Sequence, residues 1–512
     1  MRQGQPRGAT PFLIAPYTSP FRRWVRPCIR FAAAGLGLLV VGCTVGPDYV
    51  RPPAVVPLEF KEAQGWKAAE PGDAVARGAW WEIFGDPQLN VLEAQIEINN
   101  QNLAAAEAQF RQARAQVQAA RAGFFPTLTV GPSVTSSLGQ SGGAGGRSSS
   151  GSGGGSRARS GNSVDDFLLS GNLSWELDIW GKVRRTVESA RAGAQASAGD
   201  LQSARLSAQA ELAQDYLQLR TLDAQKELLE ATITGYRKFL EVTRNRYASG
   251  VAARSDVLQA ETQLLSTQAQ SVDLGVQRAQ LEHAVALLIG RPPADFAIPF
   301  SPLHGYGPPP VPMQLPSELL ERRPDIAAAE RRVAAANAQI GVAEAAFYPT
   351  ITLSALGGFS STHLSDWLTW PSRFWAVGGT LSEAVFEGGL RKAQTDQAIA
   401  AYDAAVADYR QTVLGAFQEV EDNLAALRIL EREAGIQGEA VKAADQSVVV
   451  TNNRYHAGLA SSLDVIVVQA IALNNDVTAV NILGRRMTAA VLLVKGLGGG
   501  WQASMLPPDG SL

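Results

Sequence analysis

A chain of 512 residues with 46% hydrophobic side chains is long enough for several domains, and its formal charge of −3 lacks the basic footprint of a nucleic-acid-binding protein. Two cysteines, Cys28 and Cys43, and four scattered histidines, His283, His304, His363 and His456, provide neither a disulfide framework nor metal-ligand spacing. No nucleotide motif, redox ligand or acid/base constellation stands out, so neither an enzyme nor a bound cofactor is expected.

In chain order, Arg22, Arg23, Arg26 and Arg30 precede an apolar run from Phe31 to Val41 that ends in Gly42-Cys43. Such a run is too short to cross a hydrocarbon core of ~30 Å as a helix, so residues 1–42 read as a secretory signal. Removing them takes away six arginines and no acidic residue, which moves the formal charge from −3 to −9. Small residues directly before a cysteine resemble the lipobox of bacterial lipoproteins. That resemblance implies cleavage before Cys43 and covalent lipid on it, diacylglycerol and an N-acyl chain, and Thr44 in the next position favours the outer membrane. Residues 43–85 then form a lipidated N-terminal segment.

Two repeated blocks follow. Phe124-Phe125-Pro126-Thr127 returns as Phe347-Tyr348-Pro349-Thr350 at an offset of 223, and Asn245-Arg246-Tyr247 with Gly250 returns as Asn453-Arg454-Tyr455 with Gly458 at an offset of 208. The first unit is expected over 86–291 and the second over 317–499, joined by a Pro-rich linker at 292–316 and followed by a tail at 500–512. The Gly/Ser-rich stretch at 139–163 lacks a Gly-Lys-Ser/Thr phosphate loop and reads as an exposed loop that absorbs the slip between offsets.

No proline occurs between Pro132 and Pro292 or between Pro371 and Pro507, which leaves room for very long helices. Long helices are expected from Lys182 to about Arg244 and from Arg391 to about Arg454. Shorter ones are expected at Asp86–Ala122, Ser255–Ile289, Asp325–Ala346 and Asp464–Leu497. The stripe Val413, Phe417, Val420, Leu424, Leu427 alternates steps of four and three, and Ala-rich flanks suit a wall of closely packed helices. The long helices are expected to fold back near Gly235 and near Gly435 to Gly438, forming hairpin tips, while Gly250 and Gly458 mark further turns.

Four shorter segments alternate apolar and polar residues with period two, at about 126–138, 166–180, 349–361 and 373–386. Each is close to the ~9–11 residues of a tilted membrane strand, with Phe124, Trp175, Trp180, Tyr348, Trp367, Trp370 and Trp375 near the ends. Four strands cannot close a barrel and lipid does not tolerate open edges, so the sequence requires several copies to share one barrel. The fold class is α+β, a duplicated helix-strand-strand-helix unit.

Cys43-Thr44-Val45-Gly46-Pro47-Asp48-Tyr49, Trp175-Glu176-Leu177-Asp178-Ile179-Trp180-Gly181, Arg322-Arg323-Pro324-Asp325 and Leu497-Gly498-Gly499-Gly500-Trp501, in this order and spacing, resemble the outer-membrane factors of bacterial efflux and secretion systems, the TolC and OprM type with its NodT-like lipoproteins. The resemblance covers essentially all of the mature chain. It implies a homotrimer whose twelve strands form a barrel in outer-membrane lipid, continued by a periplasmic α-helical barrel with an equatorial belt midway, to which the Pro-rich linker and the turns at Gly250 and Gly458 would belong. Partners would be a periplasmic adaptor and an inner-membrane transporter of the RND type, and the cargo small organic compounds or drugs.

Within that scheme Gly181, Gly388 and Gly389 stand where strands become helices, Pro324-Asp325 opens a helix, and Asp256 and Asp464 sit in first turns. The segment Val441-Lys442-Ala443-Ala444-Asp445 matches the family's gate region, which makes Asp445 the candidate gate residue; Arg237 takes the corresponding place in the first unit. A type I secretion duct, separable by its partners, and a periplasmic coiled-coil adaptor or adhesin, which would need a soluble β-domain, are the alternatives.

Overall fold

The computed structural model describes residues 44–54, 56–57, 60–62, 78–138, 163–303, 307–309 and 319–512. The signal segment, Cys43, the Gly/Ser-rich stretch at 139–162 and parts of the N-terminal segment and linker lie outside these residues. The helices are α1 (Pro87–Asn99), α2 (Gln101–Ala122), α3 (Lys182–Ala248), α4 (Arg254–Leu288), α5 (Leu319–Arg322), α6 (Pro324–Ala345), α7 (Leu390–His456) and α8 (Ser462–Gly496). The strands are β1 (Thr127–Leu138), β2 (Ser163–Glu176), β3 (Thr350–Ser361) and β4 (Arg373–Ser382).

The duplication is residue-exact. α2 and β1 map onto α6 and β3 at the 223 offset, and α3 and α4 map onto α7 and α8 at 208. The strands form one antiparallel sheet in the order β1-β2-β3-β4. Thr127 is opposite Ser174, Leu173 opposite Ala355, and Leu353 opposite Gly379. Among the described residues, β1 and β4 each keep one unpaired edge. β2 begins earlier than expected and both β2 and β4 end earlier, at Glu176 and Ser382, because the backbone turns into the helix entry after those residues.

Below the sheet, α3 and α7 each run 67 residues without a break, about 100 Å at ~1.5 Å per residue. α2 and α6 pack on the upper part of α3, and α4 and α8 on its lower part; α7 lies against α6 above and α8 below. The result is a wall of four columns in which two are continuous and two are jointed.

The joints explain why the helix expected over Asp86–Ala122 is in fact two. Asn100 leaves helical conformation at ψ 118°, accepts from Leu103 N at 3.0 Å to cap α2, and donates to Leu288 O at 2.7 Å to close the end of α4. In the second unit Arg323 occupies the equivalent place and donates to Gly496 O at 3.0 Å, with Asp325 and Glu419 at 2.8 Å balancing its charge. Gly290 and Gly498 follow at φ 67° and 95°, so close to Asn99 and Arg322 that a Cβ would lie 2.2 and 2.0 Å from their carbonyl oxygens.

α8 is apolar enough to span a bilayer by composition, with mean hydropathy 1.4 over its most apolar window. Its Met487, Val491, Leu493 and Val494 are instead buried in the main core. That core sits at mid-height around Trp80, Leu212, Tyr216, Leu219 and Leu424, and a smaller cluster around Tyr236, Leu240 and Leu264 lies towards the far end of the wall.

Candidate functional site

The functional region is the wall itself, with a strand junction at the top, a belt at mid-height and a tip at the bottom. At the junction Gly181 and Gly389 occupy the N-cap positions of α3 and α7 at φ 83° and 94°, and Gly388 precedes at 61°. Asp178 accepts from Val183 N at 2.8 Å and Arg184 N at 3.0 Å, satisfying donors that the helix start leaves open. Trp180 stacks on Tyr348 at 4.8 Å and donates to Pro349 O at 2.8 Å, tying the two units together.

The N-terminal segment begins at this junction. Val45 N donates to Trp180 O, a Cβ on Gly46 would lie 2.4 Å from Gly341 Cα, and Arg185, almost fully buried, donates to the carbonyls of Val45 and Gly46 and pairs with Asp48 at 3.0 Å. From there the strap descends the wall: Asn337 donates to Pro47 O, Phe60 packs edge-on against Phe417, and the backbone N–H groups of Lys61 and Glu62 donate to Glu421.

The belt contains the most buried charge network, and it was not anticipated. Asp223, fully buried on α3, accepts from Arg278 Nε at 2.7 Å, Ser301 N at 3.1 Å and Arg220 Nη1 at 3.3 Å. The arginines also donate to Ile298 O and Pro299 O, at 2.7 Å each, so the linker backbone is held by both signs of charge. A sequence signal for it existed: Arg220, Asp223 and Arg278 return as Arg428, Glu431 and Arg486 at the 208 offset. The second copy differs. Glu431 is exposed and 3.9 Å from Arg486, and Arg428 binds Glu62 of the strap.

At the tip the structure corrects the expected hairpins. Gly235, Gly435 and Gly438 lie inside unbroken helices, because a helical glycine costs only ~1 kcal/mol and stops nothing by itself. Gly250 and Gly458, expected in the belt, instead make the reversals from α3 to α4 and from α7 to α8, both at φ 75°. They sit at the far end of the 67-residue helices. Asp464 accepts from the Ser461 N–H and hydroxyl, which holds its carboxyl below the ordinary range, and Asp256 accepts from Ala253 N. Tyr455 joins the hairpins, with Phe239 5.8 Å and the Arg246 guanidinium 4.9 Å from its ring centroid.

Asp445 is exposed on α7, about 16 Å above the end of the helix at His456. Burial, and then the Asp445 charge, raise the carboxyl of Asp476 on α8 above its ordinary value. Arg237, its counterpart, lines a groove of about 370 Å³ with Leu240, Glu241, Arg244 and Glu261. The two hairpins therefore differ in charge at matching heights.

A wall of paired long helices under a four-stranded sheet has solved parallels. The outer-membrane channel OprN superposes with a TM-score of 0.81 at 30% identity, covering 90% of this chain and all of that one. The family model for outer membrane efflux proteins matches residues 92–291 and 315–499. The chain belongs to the outer membrane efflux protein family. Among relatives, the pyoverdine export outer membrane protein OpmQ of Pseudomonas aeruginosa is 31% identical over 91% of this chain and 96% of its own length. The toluene efflux pump outer membrane protein TtgC of Pseudomonas putida is 30% identical over 92% and 97%. This efflux channel protein resides in the outer membrane and extends into the periplasm, and its family conducts rather than catalyses.

Proposed function

We propose that three copies of this efflux protein close a twelve-stranded barrel and a helical tube beneath it, through which small organic compounds pass passively. One observation carries the reading. The four-stranded sheet has open edges and exposes Leu128, Val130, Val134, Trp375, Val377 and Leu381, and it leads directly into two helices of 67 residues. Exposed apolar strand faces suit lipid, and lipid forbids unpaired edges, so neighbouring copies must supply the missing partners.

A periplasmic adaptor docks at the tip and an RND-type inner-membrane transporter supplies the energy. The names of OpmQ and TtgC, pyoverdine export and toluene efflux, support a small organic cargo for this chain as well. Cys43 carries lipid; the small residues before it support this reading, and the described strap starts at Thr44 and Val45 beside Trp180 and Gly181. Asp445 from three copies forms a carboxylate ring at the gate, whose mutual repulsion favours cations or partial protonation when narrow.

The test is to express the chain from its own signal, separate the membranes and reconstitute the detergent-extracted oligomer in a planar bilayer. A trimer in the outer-membrane fraction that forms discrete pores is expected. A monomer without conductance would remove the shared barrel.

A further inference from the structure

Four polar side chains of α1 and its cap form one stripe. Asp86, Asn90, Glu93 and Glu97 are spaced four, three and four residues apart, which places them on one side of the helix. The two ends are satisfied by α3: Tyr216 donates to Asp86 at 2.7 Å, Gln209 donates to Glu97 at 3.3 Å, and Arg205 pairs with Glu97 at 2.8 Å. The middle is not. Among the described residues, both carboxyl oxygens of Glu93 and the Asn90 Oδ1 are buried without a hydrogen-bond partner, and Glu93 is 0% exposed. A native fold normally satisfies such atoms.

Every orphan atom in this stripe is an acceptor, so what the site lacks is a donor. An ionised carboxylate here would be a bare buried charge, which costs several kcal/mol. Among the described residues no cation is committed to it. Arg205 pairs with Glu97 at 2.8 Å through an Nε that makes no aligned hydrogen bond, and donates to Gln202; Arg220 is taken by Gln88, Pro299 O and Asp223; and Arg278 by Asp223, Glu282 and Ile298 O. Glu282 also accepts from Ile298 N, while Glu82 before α1 and His283 on α4 are exposed. Burial, and secondarily the charge of Glu97 one turn away, push the Glu93 carboxyl well above the ordinary range.

We propose that Glu93 is a proton-held clasp of the belt: carrying a proton, it lets α1 close on α3 beside the joint where α2 meets α4, and losing the proton it drives α1 off. A carboxyl that binds its proton more tightly in the folded than in the unfolded chain contributes no penalty below the unfolded value, and stability falls as pH rises from there through the folded value. The belt is closed at low pH and loosens as the pH rises through the folded value of the Glu93 carboxyl. Asn100, which caps α2 and closes α4, directly follows α1, so the loosening reaches the column joint.

The experiment uses the full-length protein in detergent. Thermal transitions of the wild type and Glu93→Gln are recorded from about pH 5 to pH 10. The glutamine variant is expected to hold its transition temperature where the wild type falls by several degrees; a gap between the two that stays constant over the series overturns the proposal. Because the amide alters local hydrogen bonding, infrared spectroscopy supplies a second reading. A protonated carboxylic-acid band that persists in the wild type above the pH range of ordinary carboxylates and is missing in Glu93→Gln is expected, and its absence from the wild type overturns the proposal. If a bound cation rather than a proton neutralises the site, the wild-type transition will follow the identity of added sodium or magnesium at fixed pH, again overturning it. Limited proteolysis locates the change: alkaline cleavage within Pro87–Asn99 is expected in the wild type only, and cleavage confined to other segments refutes the clasp.

Discussion

Replacing Asp223 with alanine should open the belt, and the duplicated chain contains its own control. Among the described residues the aspartate is the only carboxylate that touches both Arg220 and Arg278, and their side chains retain 3% and 19% exposure. Without it the two guanidinium groups keep their carbonyl partners but lose the nearest balancing charge, and Ser301 N loses its acceptor. Removing one partner from a buried ionic network costs about 3–5 kcal/mol. At the matching position Glu431 is 76% exposed on its side chain and 3.9 Å from Arg486, a geometry worth under about 1 kcal/mol.

The assay is limited proteolysis of the detergent-solubilised protein, read as the rate of cleavage at 292–303, with denaturant midpoints as a second measure. Asp223→Ala should expose the linker and lower the midpoint clearly, while Glu431→Ala should leave both near wild type. Asp223→Asn, which keeps one acceptor oxygen but not the charge, should fall between. Equal effects at 223 and 431 would refute the argument that burial, rather than the shared sequence position, sets the strength of the network.

At the tip, Asp445→Ala should raise single-channel conductance at neutral pH and let Asp476 ionise at lower pH, since a repelling charge is removed; unchanged conductance would sink the gate assignment. Gly250→Ala should cost about 1–2 kcal/mol through backbone strain alone, because open space surrounds a Cβ there while φ is 75°. Gly46→Ala should do more, since its Cβ would meet Gly341 at 2.4 Å and lift the strap; faster proteolysis of the first mature residues is the measurement. Cys43→Ser should abolish labelling by radioactive palmitate, and retained label would remove the lipid assignment.

Much of the architecture was legible because it depends on local rules. Alternating residues in Leu128, Val130 and Val134 and proline-free stretches around Leu212 and Leu424 indicate strands and helices directly. The glycines at the junction, Gly181 and Gly389, were readable because a strand entering a helix needs backbone that accepts positive φ. The hairpins were misread for the complementary reason. Gly235, Gly435 and Gly438 look like turns in a list of residues, yet a glycine with helical neighbours on both sides remains helical. The actual turns at Gly250 and Gly458 were visible as repeats, and only their height on the wall was wrong.

From the sequence alone came the duplication, the number of strands, the presence of very long helices and the need for partner copies, since all follow from periodicity, composition and the demands of an unpaired sheet edge. Tertiary structure decided what no period encodes: that Asp223 is buried while its counterpart Glu431 is exposed, that Asn100 and Arg323 close the same joint with different chemistry, and that Glu93 is enclosed without a donor. The physical reason is that charge and polarity take their meaning from burial. Burial here depends on which segments cross the outside of the wall, the linker over α3 in the first unit and the strap over α7 in the second.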